Sequence, residues 1–540
     1  MSIRGGFPRQ SHQLLLCERT KELGDLPKEE DDVGFELPEA RTVAVNPTQE
    51  EMRAWVLEHM ERVTVTEFDN INYQAEVKAR LAPSTFFITE VENHKNRMSR
   101  AEYDEWAAKQ DAYIADKDMI VIEGYIGPDP NFRTGSRLYM EKTQANIPAM
   151  QQQLYFPADD EWEPEFTVIY TPGLPAPGKP MDRLILVDHD HYVTRVLGSD
   201  YFGESKMGGL RMWNHLVYQQ GGLALHSGLK TFPDVAGEEK SMLILGLSGT
   251  GKTTTTFRQQ LGSLPVQDDF TALFPNGKIY STENGCFAKT FGLDADDEPT
   301  IYGGTTRPDA WLESTWVSED GKVDFFNDSY TANGRSTFPL ANIRHRDPND
   351  LPPASYILLL NRNENLIPAV AKLKRDQAAA YFMLGETKGT SAGGAAEAGK
   401  SLRVPGTNPF FFDNDALMGN RFLELLETMP DVVVYLMNTG RVGGTDGDDR
   451  SKKVKIRHSS AVVRGIVEES ITWEEDPDFG YFIAADLPDF DDPELLRPRE
   501  LYERQGRMDE YGQIVATLKA DRHEYIQTFP GLDPSIVAAL

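Results

Sequence analysis

Residues 246–253 constrain the fold more than any other part of the chain. They read GLSGTGKT and match G-x-x-x-x-G-K-[ST], the pattern of a phosphate-binding loop. The apolar run 241–245 before them predicts a short buried strand, and residues 254–258 after them can open a helix. A strand, a glycine-rich turn and a helix N-terminus in this order bring backbone N–H groups and the positive end of a helix dipole to one point. The sequence therefore predicts a phosphate site inside an α/β fold.

Each residue type in this loop has a chemical reason. Gly246, Gly249 and Gly251 allow the tight turn that points N–H groups at an anion. Lys252 can reach the outer phosphates of a nucleotide, and the Thr253 hydroxyl can bind Mg²⁺. The alternative, an ordinary glycine-rich turn, is disfavoured by the flanking strand. The predicted nucleotide-binding residues of the loop are Gly246, Leu247, Ser248, Gly249, Thr250, Gly251, Lys252, Thr253 and Thr254.

The charge balance bears on which partners such a site serves. The chain has 540 residues and a formal net charge of −30, which disfavours nucleic acid and anionic membranes because both are polyanions. It does not disfavour ATP, since a pocket can be basic inside an acidic protein. Two cysteines are too few for a disulfide framework, and no apolar run reaches membrane-spanning length. We therefore expect a cytoplasmic protein that acts on small molecules, and we leave its oligomeric state open, a monomer included.

Alternating strand and helix patterns predict an α/β fold class with two domains. Residues 1–50 are expected to form a polar N-terminal arm, residues 51–220 a mixed α/β domain, and residues 221–540 the domain with the phosphate loop. The Gly/Ala-rich stretch 385–399 predicts a flexible loop, either a lid or a tolerated surface insertion. The other predicted strands cover 85–89, 119–126, 166–170, 183–187, 278–281, 356–360 and 432–437, and the predicted helices cover 50–62, 100–115 and a segment from residue 499.

Three side chains have the chemistry of metal ligands. Asp268 and Asp269 follow an apolar segment downstream of the loop, and carboxylates at a strand end beside a phosphate loop can hold a metal. His226 offers an imidazole, a good ligand for ions such as Mn²⁺. The phosphate loop favours the metal interpretation for the aspartates. For a single histidine, a structural role stays the simpler interpretation.

Two cations lie in compact polar runs. Lys289 is part of NGCFAKT, and Arg335 is part of NGRSTFP, where we expect a tight turn. A lysine can neutralise a transferring phosphoryl group, and an arginine can hold a carboxylate by two parallel hydrogen bonds. From the residues alone, an exposed surface position is the simpler interpretation for both.

These segments, in this order, resemble the ATP-dependent phosphoenolpyruvate carboxykinase family. The resemblance lies in GLSGTGKTT at 246–254, the aspartates at 268–269, and the segments NGCFAKT and NGRSTFP. It runs from about Arg80 to near the C-terminus. Further similar segments are GPDPNFRTGSR at 127–137, YFGESKMGG at 201–209, LHSG at 225–228, YLMNTGRVGG at 435–444 and RPRELY at 497–502.

The resemblance implies a two-domain phosphoenolpyruvate carboxykinase-like fold with its active site in the cleft between the domains. It also implies a reaction, the conversion of oxaloacetate and ATP to phosphoenolpyruvate, ADP and CO₂, with Mg²⁺ and Mn²⁺ as cofactors. Lys289 and Lys453 would join the loop residues in the nucleotide site. The implied catalytic residues are Lys252, Arg335, Asp269, Lys206, Tyr201 and Arg80, and the implied metal ligands are Thr253, Asp269, His226 and Lys206.

Three positions depart from the family pattern. The family carries two adjacent lysines where this chain has Lys206 and Met207, and the second of them is a metal ligand. A thioether is a poor ligand for Mn²⁺, so Lys206 takes the place, water fills it, or the chemistry has changed. The family's serine and aspartate pattern is missing after Arg80, and Lys453 stands where the family has an arginine.

These departures leave two alternatives beside a phosphoenolpyruvate carboxykinase. One is a kinase of the same fold that phosphorylates another small acid or acceptor. The other is a non-catalytic nucleotide-binding protein. Retention of Lys252, Thr253, Asp269 and Arg335 disfavours the second alternative, because a binding module needs no metal carboxylate and substrate arginine together.

Overall fold

The structure is a computed structural model that describes residues 35–90, 96–247, 249–388 and 400–540. Most of the predicted N-terminal arm, Ser248 and most of the predicted loop 385–399 lie outside the described residues. Residues Pro38–Leu540 form one compact unit. Within the described ranges, no helix has the length and apolar content needed to cross a membrane.

Strands and helices alternate throughout the described ranges, which confirms the predicted mixed α/β class. The first strands are β1 (Thr42–Val45), β2 (Val63–Val65), β3 (Ile71–Tyr73), β4 (Thr85–Ile88), β5 (Arg97–Met98), β6 (Asp118–Ile126), β7 (Thr134–Glu141), β8 (Phe156–Pro157), β9 (Phe166–Thr171), β10 (Leu184–Asp188), β11 (Val193–Leu197), β12 (Leu223–Pro233), β13 (Glu239–Leu245) and β14 (Leu264–Gln267). The later strands are β15 (Phe270–Leu273), β16 (Ile279–Ser281), β17 (Gly285–Lys289), β18 (Trp311–Glu313), β19 (Arg335–Pro339), β20 (Ala354–Asn361), β21 (Val370–Leu373), β22 (Glu386–Lys388), β23 (Ser401–Arg403), β24 (Val433–Asn438), β25 (Arg441–Val442), β26 (Lys452–Lys453), β27 (Thr472–Glu475) and β28 (Phe482–Asp486). The α-helices are α1 (Gln49–His59), α2 (Arg100–Ile114), α3 (Asn146–Leu154), α4 (Phe202–Gln219), α5 (Lys252–Phe257), α6 (Pro299–Thr305), α7 (Arg375–Leu384), α8 (Ala416–Glu427), α9 (Ile456–Val467), α10 (Pro498–Arg504), α11 (Met508–Ile526) and α12 (Pro534–Ala538).

The predicted helices near the N-terminus have local start and stop signals. The N-cap of α1 is Thr48, whose hydroxyl accepts from the Glu51 N–H while the Glu51 carboxylate accepts from the Thr48 N–H. α1 ends at His59, earlier than predicted, because Met60 is extended and Arg62 has a φ of 59°. The predicted helix 100–115 is α2. β1 lies inside residues 1–50, so this part of the predicted arm is a sheet strand.

A nine-stranded sheet has the order β1-β6-β7-β9-β11-β10-β4-β5, with β8 paired to β6. It is mixed, since β1 is parallel to β6 whereas β7 is antiparallel to β6. Helix α4 packs on β9, β10 and β11, and also contacts β12 of the next sheet. Gly208 allows this close packing, because a Cβ atom there would lie 3.0 Å from a methyl group of Val168. The fully buried Trp213 of α4 belongs to the same apolar core as Ile122 of β6 and Leu243 of β13.

A ten-stranded sheet carries the phosphate loop and has the order β16-β15-β12-β13-β20-β24-β21-β28-β27, with β14 paired to β12. β13 is parallel to β20, and β20 is parallel to β24. All three strands coincide with predicted apolar runs. Ligands of open α/β sheets bind outside the carboxyl ends of parallel strands, which is where the loop after β13 lies.

A five-stranded sheet, β17-β19-β18-β3-β2, brings distant segments together. β2 and β3 precede residue 220, whereas the other three strands follow it, so this sheet contains strands from both sides of the predicted domain boundary. The pairing of β17 with β19 places Lys289 opposite Arg335, and the pairing of β18 with β19 places Glu313 opposite Arg335. Arg335 was expected in a tight turn but is the first residue of β19, because this pairing begins directly after the turn.

Candidate active site

The phosphate loop connects β13 to α5, as its sequence predicts. Gly249 has a φ of 84° and Gly251 a φ of 90°, a conformation that favours glycine. Helix α5 begins at Lys252, so Lys252 and Thr253 lie in its first turn. The N–H groups of a first helical turn have no partner inside the helix and can bind a phosphate.

Two aspartates at the end of β14 face this first turn. Thr253 Oγ1 donates to Asp268 Oδ2 at 2.9 Å, and Lys252 Nζ lies 3.3 Å from Asp269 Oδ1. Burial raises the pKa of Asp268. Burial also lowers the pKa of Lys252, although the two aspartates oppose this effect. The structure thus brings together the loop lysine, the loop threonine and the predicted metal carboxylates.

Lys206 reaches the same carboxylate from helix α4. Its amino group forms ion pairs with Asp269 Oδ2 and, at 2.8 Å, with Glu283 Oε1. Burial acts to lower the pKa of Lys206, but the two carboxylates outweigh it and the pKa is raised. Burial raises the pKa of Glu283 to about 7. Lys206 therefore forms a buried bridge between two acidic side chains.

His226 contacts the other oxygen of Asp269. Its Nδ1 lies 2.9 Å from the Thr407 carbonyl oxygen, which can only accept, so Nδ1 carries a proton. Its Nε2 lies 3.0 Å from Asp269 Oδ1. Burial lowers the pKa of His226. A histidine held by a carbonyl at one nitrogen and facing a carboxylate with the other is suitably oriented toward a cation.

One cavity of about 300 Å³ contains the phosphate loop and the predicted substrate residues. Phe287, Phe291 and Phe410 form apolar parts of its wall. The predicted residues that line it are Arg80, Tyr201, Lys206, His226, Leu247, Gly249, Gly251, Lys252, Thr253, Thr254, Asp269, Lys289 and Arg335. Most of the predicted site residues are thus within one space.

Two cations, Lys289 and Arg335, lie side by side in the wall of this cavity. Arg335 donates to Asn333 Oδ1 at 2.9 Å, while its buried Nε has no hydrogen-bond partner among the described residues. Burial, with the charge of Arg335, lowers the pKa of Lys289 to about 8. A guanidinium with an unused buried donor suits a carboxylate ligand.

Comparison with known proteins agrees with this geometry. Residues 41–493 match the family model described as phosphoenolpyruvate carboxykinase, in its ATP-dependent form. The chain belongs to the ATP-dependent phosphoenolpyruvate carboxykinase family. It is 29% identical to phosphoenolpyruvate carboxykinase (ATP) 1 of Moorella thermoacetica over 441 residues, which cover 78% of this chain and 81% of that protein. It is 29% identical to the Aeropyrum pernix protein over 437 residues, covering 78% and 83%, and 30% identical to the Staphylococcus aureus (strain Newman) protein over 400 residues, covering 70% and 72%.

The segment that contains Arg80 is held by two carboxylates near Tyr201 in the sequence. Asp200 accepts from the backbone N–H groups of Glu76 at 2.8 Å and Val77 at 2.9 Å. Glu204, which is fully buried, accepts from the Leu81 N–H at 2.7 Å. The backbone is therefore fixed on both sides of Arg80, whose guanidinium lies over the Phe410 ring.

A second cavity of about 540 Å³ also adjoins the phosphate loop. It shares Gly249, Gly251 and Thr254 with the first cavity, and it contains the predicted Lys453. Thr250 also lines it. A nucleotide whose phosphates bind the loop can therefore extend its ribose and base toward Lys453.

The family implies two metal ions, and this chain has suitable ligands for only one of them. Thr253 and Asp268 match the threonine and carboxylate that hold Mg²⁺ beside a nucleotide phosphate. Beside Asp269, the protein donors for a second ion are Asp269 itself and His226, and Met207 lines the cavity with a thioether that is a poor Mn²⁺ ligand. No group of three or more His, Cys, Asp or Glu side chains suited to a metal occurs in the described part of the chain. The residues fit Mg²⁺ and do not fit a second resident Mn²⁺.

Sequence reasoning missed several acidic residues of this site. Glu283 directly precedes NGCFAKT, Asp200 directly precedes Tyr201, and Glu204 lies inside YFGESKMGG. The sequence signal for these three residues was their position next to or inside these motifs. A single carboxylate has no spacing pattern of its own, so only its contacts identify its role.

Proposed function

We propose that this protein is an ATP-dependent phosphoenolpyruvate carboxykinase, which converts oxaloacetate and ATP to phosphoenolpyruvate, ADP and CO₂. The observation that supports this function best is the single cavity shared by two sets of groups. Lys252 and Asp269 are suited to a nucleotide and its metal, and Arg80 and Arg335 are suited to a small dicarboxylate. Family membership supports the same assignment.

The acid would bind through its carboxylates. Arg335 and Arg80 would hold them by parallel hydrogen bonds, and Tyr201 would lie beside the reacting group. Loss of CO₂ leaves an enolate, whose negative charge is stabilised by nearby fixed cations. Lys289 and Lys206, which both line the cavity, would supply this charge.

Phosphoryl transfer would follow at the other end of the cavity. Lys252 and the loop N–H groups would hold the β- and γ-phosphates in line with the enolate oxygen. Thr253 and Asp268 would hold the Mg²⁺ that accompanies ATP, which neutralises charge on the outer phosphates when bound. Apolar walls would exclude water, so that the enolate is phosphorylated rather than protonated. The predicted two-domain division near residue 220, with closure over the nucleotide, remains part of this proposal.

The test is a coupled assay of purified protein with oxaloacetate, ATP and Mg²⁺ that follows phosphoenolpyruvate, repeated with GTP. Lys252→Ala should lower kcat/KM by at least about 100-fold, since it removes a cation from the transferring phosphoryl group. Lys322→Ala is the matched control, because the Lys322 side chain is 71% exposed. Turnover that survives in Lys252→Ala would contradict the proposed role of the loop.

Phosphorylation of another small carboxylic acid is the second candidate. Met207, which lines the cavity, and the altered sequence after Arg80 favour it, because the phosphate-loop pattern is intact while these positions differ from the family pattern. ATP binding without phosphoenolpyruvate formation, followed by turnover of a different acid in a substrate screen, would select this candidate.

A further inference from the structure

We propose that the amino group of Lys206 occupies the position of the second cation beside Asp269, so that the chain binds only the divalent ion that accompanies the nucleotide. Any catalytic role of the Lys206 ammonium group rests on the proposed function. The number of divalent ions that the nucleotide-free protein binds can be tested separately.

The two carboxylates around Lys206 already share a cation. The Lys206 side chain is 4% exposed and its amino group bridges Asp269 Oδ2 and Glu283 Oε1. Glu283 Oε2 is buried without a hydrogen-bond partner among the described residues. The ammonium thus holds two acidic side chains that would otherwise repel each other, as a divalent ion would in the same place.

The remaining oxygen of Asp269 is also occupied. His226 Nε2 lies 3.0 Å and Lys252 Nζ lies 3.3 Å from Asp269 Oδ1. An ion that entered here would face two lysine ammonium groups bound to the same carboxylate. Close like charges raise the free energy of such a state, so Mn²⁺ would have to displace Lys206 to bind.

The next residue along α4 cannot complete a metal site. Met207 lines the cavity, and its thioether is a soft ligand that suits neither Mn²⁺ nor Mg²⁺. The protein therefore offers a second ion two donors, Asp269 and His226, and a competing internal cation. A built-in cation would be permanently present, whereas a bound ion exchanges with solvent.

The first experiment measures Mn²⁺ binding to the nucleotide-free wild-type protein by electron paramagnetic resonance of free Mn²⁺. His226→Ala is measured in parallel, since Mn²⁺ that both proteins bind equally lies elsewhere on the acidic surface. We expect no difference between the two proteins. One Mn²⁺ per chain that is present in the wild type and lost in His226→Ala would overturn the proposal.

The second experiment removes the internal cation. Lys206→Met removes the ammonium group, shortens the unbranched side chain by one atom, and frees the carboxylates of Asp269 and Glu283 from their shared cation. We expect this variant to gain one bound Mn²⁺ per chain, and the double variant Lys206→Met/His226→Ala to lose it. A folded Lys206→Met protein that binds no more Mn²⁺ than the wild type would overturn the proposal. If Lys206→Met does not fold, the wild-type comparison decides. Both results are independent of phosphoenolpyruvate formation, so failure of the proposed function is recognised separately in the coupled assay.

Discussion

Asp200→Asn should weaken binding of the acid substrate without weakening binding of the nucleotide. One oxygen of Asp200 accepts from the Val77 N–H at 2.9 Å. The other accepts from the Glu76 N–H and the Tyr73 hydroxyl, both at 2.8 Å. These bonds fix the backbone that leads to Arg80, and an amide can replace only one of the two acceptor oxygens.

The magnitude follows from this count. If the amide oxygen takes the position of this second oxygen of Asp200, to which Arg62 also donates at 3.3 Å, its NH₂ group faces the Val77 N–H, and that donor is left unpaired. An unpaired buried donor costs about 1–3 kcal/mol. Movement of the segment relieves this cost but displaces Arg80, so up to the same free energy is lost from substrate binding. Since 1.4 kcal/mol is a factor of ten, the KM for oxaloacetate should rise about 10- to 100-fold.

The assay compares KM for oxaloacetate and for ATP in the wild type, Asp200→Asn and Asp69→Asn. Asp69 is the matched control because its side chain is 77% exposed and its φ of 59° is a conformation that asparagine adopts readily. The KM for ATP should stay within about two-fold of wild type, since the phosphate loop is not touched. An unchanged KM for oxaloacetate, or an equal rise for both substrates, would refute the positioning role of Asp200.

Three further predictions concern buried groups. Burial raises the pKa of Glu313 to about 8. In the unfolded chain the Glu313 carboxyl group loses its proton near pH 4.5. The free energy of unfolding should therefore fall by about 1.4 kcal/mol per pH unit between pH 4.5 and pH 8. We expect Glu313→Gln to raise Tm relative to wild type more at pH 8 than at pH 5. Lys230 Nζ donates to the carbonyl oxygens of Thr255 and Arg258 at the end of α5. Lys230→Met should thus lower ATP affinity about ten-fold in calorimetry, because both carbonyls lose their donor. Burial raises the pKa of the Cys286 thiol well above its usual value, so peptide mass spectrometry should find iodoacetamide on Cys286 only after unfolding.

The parts of the fold that carry the nucleotide site have local sequence signals. β13, β20 and β24 are apolar runs bounded by polar or turn residues, and such runs predict buried strands without knowledge of their neighbours. The loop after β13 has its own spacing pattern. The helix after it was predicted, although its short length, Lys252–Phe257, was not.

The substrate side of the site depends on contacts that no local pattern contains. Val77 with Asp200, and Leu81 with Glu204, are pairs separated by 123 positions. Sheet pairing creates a similar juxtaposition of Lys289 with Arg335, two residues that the sequence alone favoured as exposed side chains. These residues could be assigned only after the topology had brought their segments together.

Met207 stands where the family has a lysine, and the sequence alone does not decide whether Lys206, water or a changed chemistry replaces it. The geometry of the site must decide among these interpretations. Lys206 and Met207 are successive residues of α4, about 100° apart around the helix axis. A rotation of the helix that exchanged them would disturb the close packing of Gly208 on Val168, where a Cβ atom would lie 3.0 Å from a methyl group. The methionine at 207 therefore leaves the bridge of Lys206 to Asp269 and Glu283 as it is. The site can therefore lack the second metal ion and still have a cation beside Asp269. A comparison of motifs shows only that a lysine is missing.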